Sequence, residues 1–192
     1  DTPQGSQTAR AHAVLLAMGG GSWAKLGSDG AWQPWLQALN LDVSPLQPAN
    51  CGFDVLGREG MPGWSSHLAS QFEGTPLKAV ALSFVNSNGE RFERRGEFVI
   101  TATGIEGSLV YAASALLRDA IARNGKATLH LDLKPDFTPE RVLAEVLHPR
   151  GSRSLSSHLK SRLNLTALHS ALLHEVLSKD ALHTPTQLAA AI

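Results

Sequence analysis

Residues 96–117 read GEFVITATGIEGSLVYAASALL, and a change of period inside this stretch decides the fold class. Phe98 to Thr103, like Phe92 before it, belongs to a returning strand. From Gly107 the spacing turns helical: Leu109, Val110, Ala113, Leu116, Leu117, Ala120 and Ile121 line one face, and Asn124-Gly125 is an ordinary C-terminal stop. The junction Thr103-Gly104-Ile105-Glu106-Gly107 is either a plain strand-to-helix connection or a substrate-facing loop. Backbone N–H groups opening the Ser108 helix can bind an anion, as at any such terminus.

Upstream, Val80, Leu82 and Phe84 alternate with Ala79, Ala81 and Ser83. Asn88-Gly89 then reads as a two-residue hairpin turn that tolerates positive φ at both positions. From Pro45, Pro48 and Gly52 to about residue 103 the pattern is mostly strand, an antiparallel sheet or small barrel. Downstream, Ala127, Leu129, Leu131 and Leu133 alternate with Thr128, His130 and Asp132, so one further strand with a dry face is expected before Pro135. Thr138-Pro139-Glu140 is a helix start: threonine caps, proline takes the first turn, and glutamate complements the dipole. Short helices follow, with apolar faces through Val142, Leu143, Val146 and Leu147, then Leu155, Leu159 and Leu163, then Leu168, Leu172, Leu173, Val176 and Leu177. Thr184-Pro185 opens another with Leu188, which the end at Ile192 is expected to interrupt.

Composition narrows the function classes. The chain has 192 residues, 43% of them hydrophobic, enough for a real core. Net charge is zero with only 18% charged residues, so a whole-chain electrostatic partner is excluded and any such partner needs a local patch. Cys51 is the single cysteine and has no internal disulfide partner, which points to a reducing, cytoplasmic setting. No stretch approaches the roughly 20 apolar residues of a membrane span. The opening Asp1-Thr2-Pro3-Gln4-Gly5-Ser6 has neither a methionine nor the pattern of a secretory signal, and reads as a cut.

The glycine density lies in residues 14–32, VLLAMGGGSWAKLGSDGAW. Ala11 to Met18 suits a strand buried on both faces, and Trp32, Trp35, Leu36 and Leu39 give a helix face running on to Asn40, with Pro34 in the first turn. A phosphate-cradling loop is rejected on spacing, because Ala24-Lys25-Leu26 supplies no hydroxyl for magnesium. Gly19, Gly21 and Ala24 with Asp42 meet the permissive dinucleotide fingerprint, but Gly27-Ser28-Asp29-Gly30 breaks the helix that fingerprint requires. A tight strand exit without a ligand is the bland alternative.

A resemblance covers most of the chain. VLLAMGGGSW, LGSDGAWQPWLQAL, SPLQPANCGF and GEFVITATGIEGSLVYAASALL, in that order, resemble the YhiN-like bacterial flavoproteins, the aminoacetone-oxidase family of FAD-binding enzymes, and more narrowly a paralogous subgroup of them. The resemblance implies that Gly19, Gly20 and Gly21 let the backbone pass close to a flavin nucleotide, and that Asp29 and Gly30 belong to the turn beside it. Met18 stands where the family has a threonine, which removes a hydroxyl contact but not the backbone approach. The resemblance also implies an FAD domain elsewhere in the same polypeptide, with its glycine fingerprint ahead of Asp1. FAD then belongs to the parent protein rather than to this piece alone.

Outside the glycines, Arg150, Arg153, Lys160 and Arg162 lie in a stretch with no acidic residue between Glu145 and Glu175. Such a run can follow a phosphate backbone, or can be a solvated helical face lacking aromatic residues for stacking. RNA enters as a substrate class because related flavoproteins are connected with uridine reduction in ribosomal RNA. His148, His158, His169 and His174 form no metal-ligand spacing, and His130 and Asp132 read as solvent-facing alternation. No nucleophile elbow supports a hydrolase.

The expectation is an α+β chain. Residues 1–44 are a strand-turn-helix remnant of an FAD-binding α/β domain, 45–136 a β-rich, barrel-like insert lobe with one long helix, and 137–192 a helical subdomain. The insert shapes the substrate side of the flavin in an FAD-dependent oxidoreductase; an RNA-docking module and a noncatalytic interaction domain are the alternatives. No catalytic residue stands out. An orphaned strand at residues 11–18 can pair with another copy of the chain.

Overall fold

The computed structural model describes residues 3–57 and 60–192. They fall into two units, Asp1–Gln47 and Pro48–Ile192. In the first, a 3-10 turn at Ala24–Leu26 precedes helix α1, Trp32–Ala38. Pro34 occupies the first turn of α1, where no N–H is needed, and Asn40, at φ 57°, stands just beyond the end of the helix. The strand expected at residues 11–18 does not form. Val14, Leu15 and Leu16 are 79%, 90% and 56% exposed, because a strand needs a neighbour for its N–H and C=O groups and no strand among the described residues pairs with this one.

The second unit is built on a five-stranded sheet, entirely antiparallel, ordered β1-β4-β3-β2-β5. The strands are β1 (Phe53–Asp54), β2 (Pro76–Val85), β3 (Arg91–Ile100), β4 (Gly104–Glu106) and β5 (His130–Asp132). The expected alternation holds, with Val80, Leu82, Phe84, Phe92, Phe98 and Ile100 buried on one face. Leu77 pairs with Phe98 and Val80 with Gly96, so β2 spends one extra residue at a bulge and keeps Leu77 and Val80 on the same buried side. Ala79 takes the positive φ, 55°, that this bulge demands.

The hairpin differs from expectation. Val85 pairs with Arg91, so the connection runs from Asn86 to Glu90, and only Gly89 has positive φ, 81°. Gly89 N–H donates to the Asn86 carbonyl at 3.0 Å, the mark of a turn followed by one left-handed residue. The buried Asn86 side chain accepts from the N–H groups of Asn88 and Glu90, and these bonds favour the longer loop over a two-residue turn. A helix also interrupts the strand-rich segment: α2, Ser66–Phe72, is capped by Ser65, whose hydroxyl accepts from Leu68 N–H.

Helix α3, Ser108–Asn124, forms with its expected face inward and ends at Gly125 with φ 76°. It packs on β3 where Gly96 leaves room, since a Cβ there would sit 3.4 Å from Leu109 Cδ1. The helices that follow are α4 (Pro139–Leu147), α5 (Leu155–Leu163), α6 (Ala167–Val176), α7 (Lys179–His183) and α8 (Pro185–Ala190). Thr138, Ser154 and Ser178 cap α4, α5 and α7 by accepting from backbone N–H groups. Helix α8 spans Pro185–Ala190, and the carbonyl of the buried Ile192 accepts a 2.7 Å bond from Leu133 N–H. One hydrophobic cluster joins sheet, α3 and the C-terminal helices. The fold is α+β, and no helix among the described residues is long and apolar enough to cross a membrane.

Candidate functional site

In the first unit the five residues assigned to the cofactor converge. Gly30 N–H donates to the Gly20 carbonyl at 3.0 Å, which lays the Gly27–Gly30 turn against the Gly19–Gly21 segment. The Trp32 indole N–H donates to the Gly19 carbonyl at 3.0 Å, and the Asp29 carboxylate accepts from Ala31 N–H at 3.0 Å. Trp23 and Ser28 form an isolated antiparallel bridge that closes the loop between them. The result is a pair of crossed, exposed glycine loops.

Why glycine stands at each position differs. A Cβ on Gly21 would lie 2.8 Å from Leu46 Cδ1 and 3.5 Å from Gly30 Cα, while Gly30 has φ 69° and would meet the same leucine at 3.1 Å. At Gly21 and Gly30 the missing side chains serve the chain's own crossing. Gly19 has a left-handed φ, 76°, so its conformation alone favours glycine. Gly20 has neither reason: its φ lies outside the left-handed range and a Cβ would make an ordinary 3.5 Å contact with Ser28 Oγ.

For the implied flavin nucleotide the fit is divided. Bare, exposed backbone at Gly19 and Gly20 suits close approach of a flat or phosphorylated group. A pyrophosphate cradle is not present in these loops. Helix α1 has seven residues, and the Asp29 carboxylate already occupies the N–H of Ala31, the residue that precedes its first turn. The dinucleotide fingerprint of Gly19, Gly21 and Ala24 with Asp42 has no helix directly after Gly21 to support it, only the three-residue turn Ala24–Leu26.

In the second unit the Thr103–Gly107 segment has a structural account. Gly104 to Glu106 is strand β4, and a Cβ on Gly104 would fall 1.9 Å from the Phe53 carbonyl oxygen, so glycine is required for the β1–β4 crossing. Thr103 Oγ1 hydrogen-bonds Asp54, and the Trp64 indole N–H donates to the Gly104 carbonyl at 3.0 Å. On the outer face of the sheet, Ala81, Glu93, Arg94, Arg95, Asp132 and Pro135 line a shallow depression. Three of its charged side chains are engaged: Arg95 pairs with Asp136 and the Pro135 carbonyl, Glu93 pairs with Arg91, and Asp132 accepts from Lys134 N–H. His130 and Asp132 both face solvent.

The basic residues separate. Arg162 makes two contacts to Glu145, at 2.6 and 2.5 Å, across α4 and α5, with both side chains largely covered. Arg153 donates to Ser161 Oγ at 3.2 Å, and Arg150, Arg153 and Lys160 stay exposed without an ion pair among the described residues. Sequence reading missed Glu145 as the partner of Arg162 because the pair spans two helices. Two of the histidines are packed into the helical part. His158 is buried with Nε2 3.2 Å from the Glu145 carbonyl, and His169 packs its ring against the start of α6. No group of three metal-ligand side chains occurs among the described residues.

A family model described as the HI0933-like protein barrel and H2TH domain matches residues 47–192, which takes in the whole of the second unit. No curated protein matches the chain.

Proposed function

This chain belongs to the HI0933-like protein barrel and H2TH domain family, a family related to FAD-binding flavoproteins, and from that premise we propose a division of labour. The crossed loops of Gly19, Gly20, Gly21, Asp29 and Gly30 meet the flavin nucleotide of an FAD-dependent oxidoreductase. The barrel and helical part covers the substrate side, and the FAD domain of the same polypeptide supplies the pyrophosphate cradle. The observation that carries the proposal is Gly20, whose backbone does not need glycine for its own folding. When bound, the flavin supplies hydride transfer; the protein supplies orientation and a pocket. In this chain Asp29 holds the second loop by its bond to Ala31, and Trp32 holds the first through Gly19.

A second reading, docking of RNA, draws on the exposed Arg150, Arg153 and Lys160. The test uses the full-length polypeptide. It should purify yellow and be reduced by a hydride donor, and triple replacement of Arg150, Arg153 and Lys160 by alanine should leave that reduction unchanged. If RNA is the substrate, the triple variant loses salt-sensitive RNA binding; RNA binding that survives it rejects this second reading. A full-length polypeptide without flavin rejects the first.

A further inference from the structure

Helix α6 starts at an unusual cap. In the common arrangement a Glu or Gln at the third helical position reaches back to the N-cap backbone N–H. Here that position is His169: its Nδ1 accepts from Thr166 N–H at 3.2 Å and lies 2.7 Å from Thr166 Oγ1. The bond requires Nδ1 to be unprotonated, because a backbone N–H can only donate. The ring is buried, with 8% exposure, so no open solvent replaces a lost partner.

We propose that the Thr166–His169 box is an acid-released latch on the first turn of α6. Protonation at Nδ1 places two donors face to face. The Thr166 hydroxyl can turn to accept from the imidazolium, but Thr166 N–H is left without an acceptor, and the first turn loosens. Burial, with the positive charge of Lys134 added, holds His169 below the ordinary imidazole range, so the latch opens in mild acid rather than at neutrality. Helix α6 packs against α2, which carries His67, and against α7, which carries Lys179, Asp180 and His183. Among the described residues, Lys134 is the charge that bears on the ring. At its far end α6 presents Glu175, which accepts from Ser65 N–H at the cap of α2, so the latched helix is also a tie between the helical part and the sheet lobe.

The test is amide hydrogen exchange of the whole chain, expressed as protection factors, from about pH 8 to about pH 4, beside an NMR titration of the His169 ring. The wild-type Thr166 amide should lose about tenfold protection in step with the ring titration. His169→Gln, which keeps an acceptor that does not titrate, should hold its protection throughout; Thr166 protection in His169→Ala should be low at every pH. Wild-type protection that ignores the ring titration, or an identical acid loss in His169→Gln, overturns the proposal.

Discussion

The two units of this chain use their apolar residues in opposite ways. In Pro48–Ile192 leucine, valine, isoleucine and phenylalanine from strands and helices close into one cluster. Among residues 3–47 no side chain is buried, and Val14, Leu15, Trp23, Trp35 and Leu39 stand largely exposed. The difference is not one of composition, since Ala13 to Met18 is as apolar as any strand of the sheet. What differs is neighbours: β2 has β3 and β5 beside it and α3 beneath the sheet through β3, whereas the 11–18 segment has no pairing partner among the described residues. Hydrophobic burial rewards only area removed from water.

That contrast is breakable by mutation. The largest effect is expected for Leu117→Ala in α3, which leaves a cavity in the core and should cost about 2–5 kcal/mol by denaturant unfolding. Leu15→Ala should stay within about 0.5 kcal/mol. A large loss at Leu15 would show a buried packing role for the first unit. Next comes Gly104→Ala, which drives a methyl into the Phe53 carbonyl and should cost about 1–3 kcal/mol, mostly through the β1–β4 pairing. Arg162→Met, breaking the largely covered pair with Glu145, should cost about 1 kcal/mol.

Acid should act on the same unit. His169 is held below its ordinary range by burial and then by Lys134, so the unfolded chain binds the proton more readily. The stability contributed is complete above the ordinary imidazole value and is lost as pH falls from there toward the lower folded-state value. Glu140, lowered by its own backbone N–H and by the Thr138 hydroxyl, adds a second loss further into acid, through and below the ordinary carboxylate value. His169→Gln should remove the first step and leave the second, as read from melting temperature against pH. The smallest effect is a gain: Ala79→Gly relieves a positive φ inside β2 and should stabilise by about 0.5 kcal/mol.

Much of the second unit was legible because its signals are local or periodic. The α3 face, the Thr138-Pro139-Glu140 start and the alternation around Val80 each depend on residues within a few positions. The bulge at Ala79, helix α2 and the five-residue loop after Val85 were not, because pairing register and the Asn86 side chain decide them. The strand at 11–18 failed for the converse reason: a correct pattern with no partner to realise it. Of the candidate site, the convergence of Gly19–Gly21 with Asp29 and Gly30 was suggested only by resemblance. No spacing rule distinguishes Gly21, which accommodates Leu46, from Gly20, which accommodates nothing in the chain itself.

Gly20 therefore offers the most direct test. Flavin-to-protein ratio, measured by visible absorbance, should be compared between the full-length polypeptide and its Gly20→Ala variant, with folding checked by circular dichroism. The account predicts a flavin-loaded parent and a variant that folds normally yet loses most of its flavin. A colourless parent, or a variant that retains flavin in full, contradicts it.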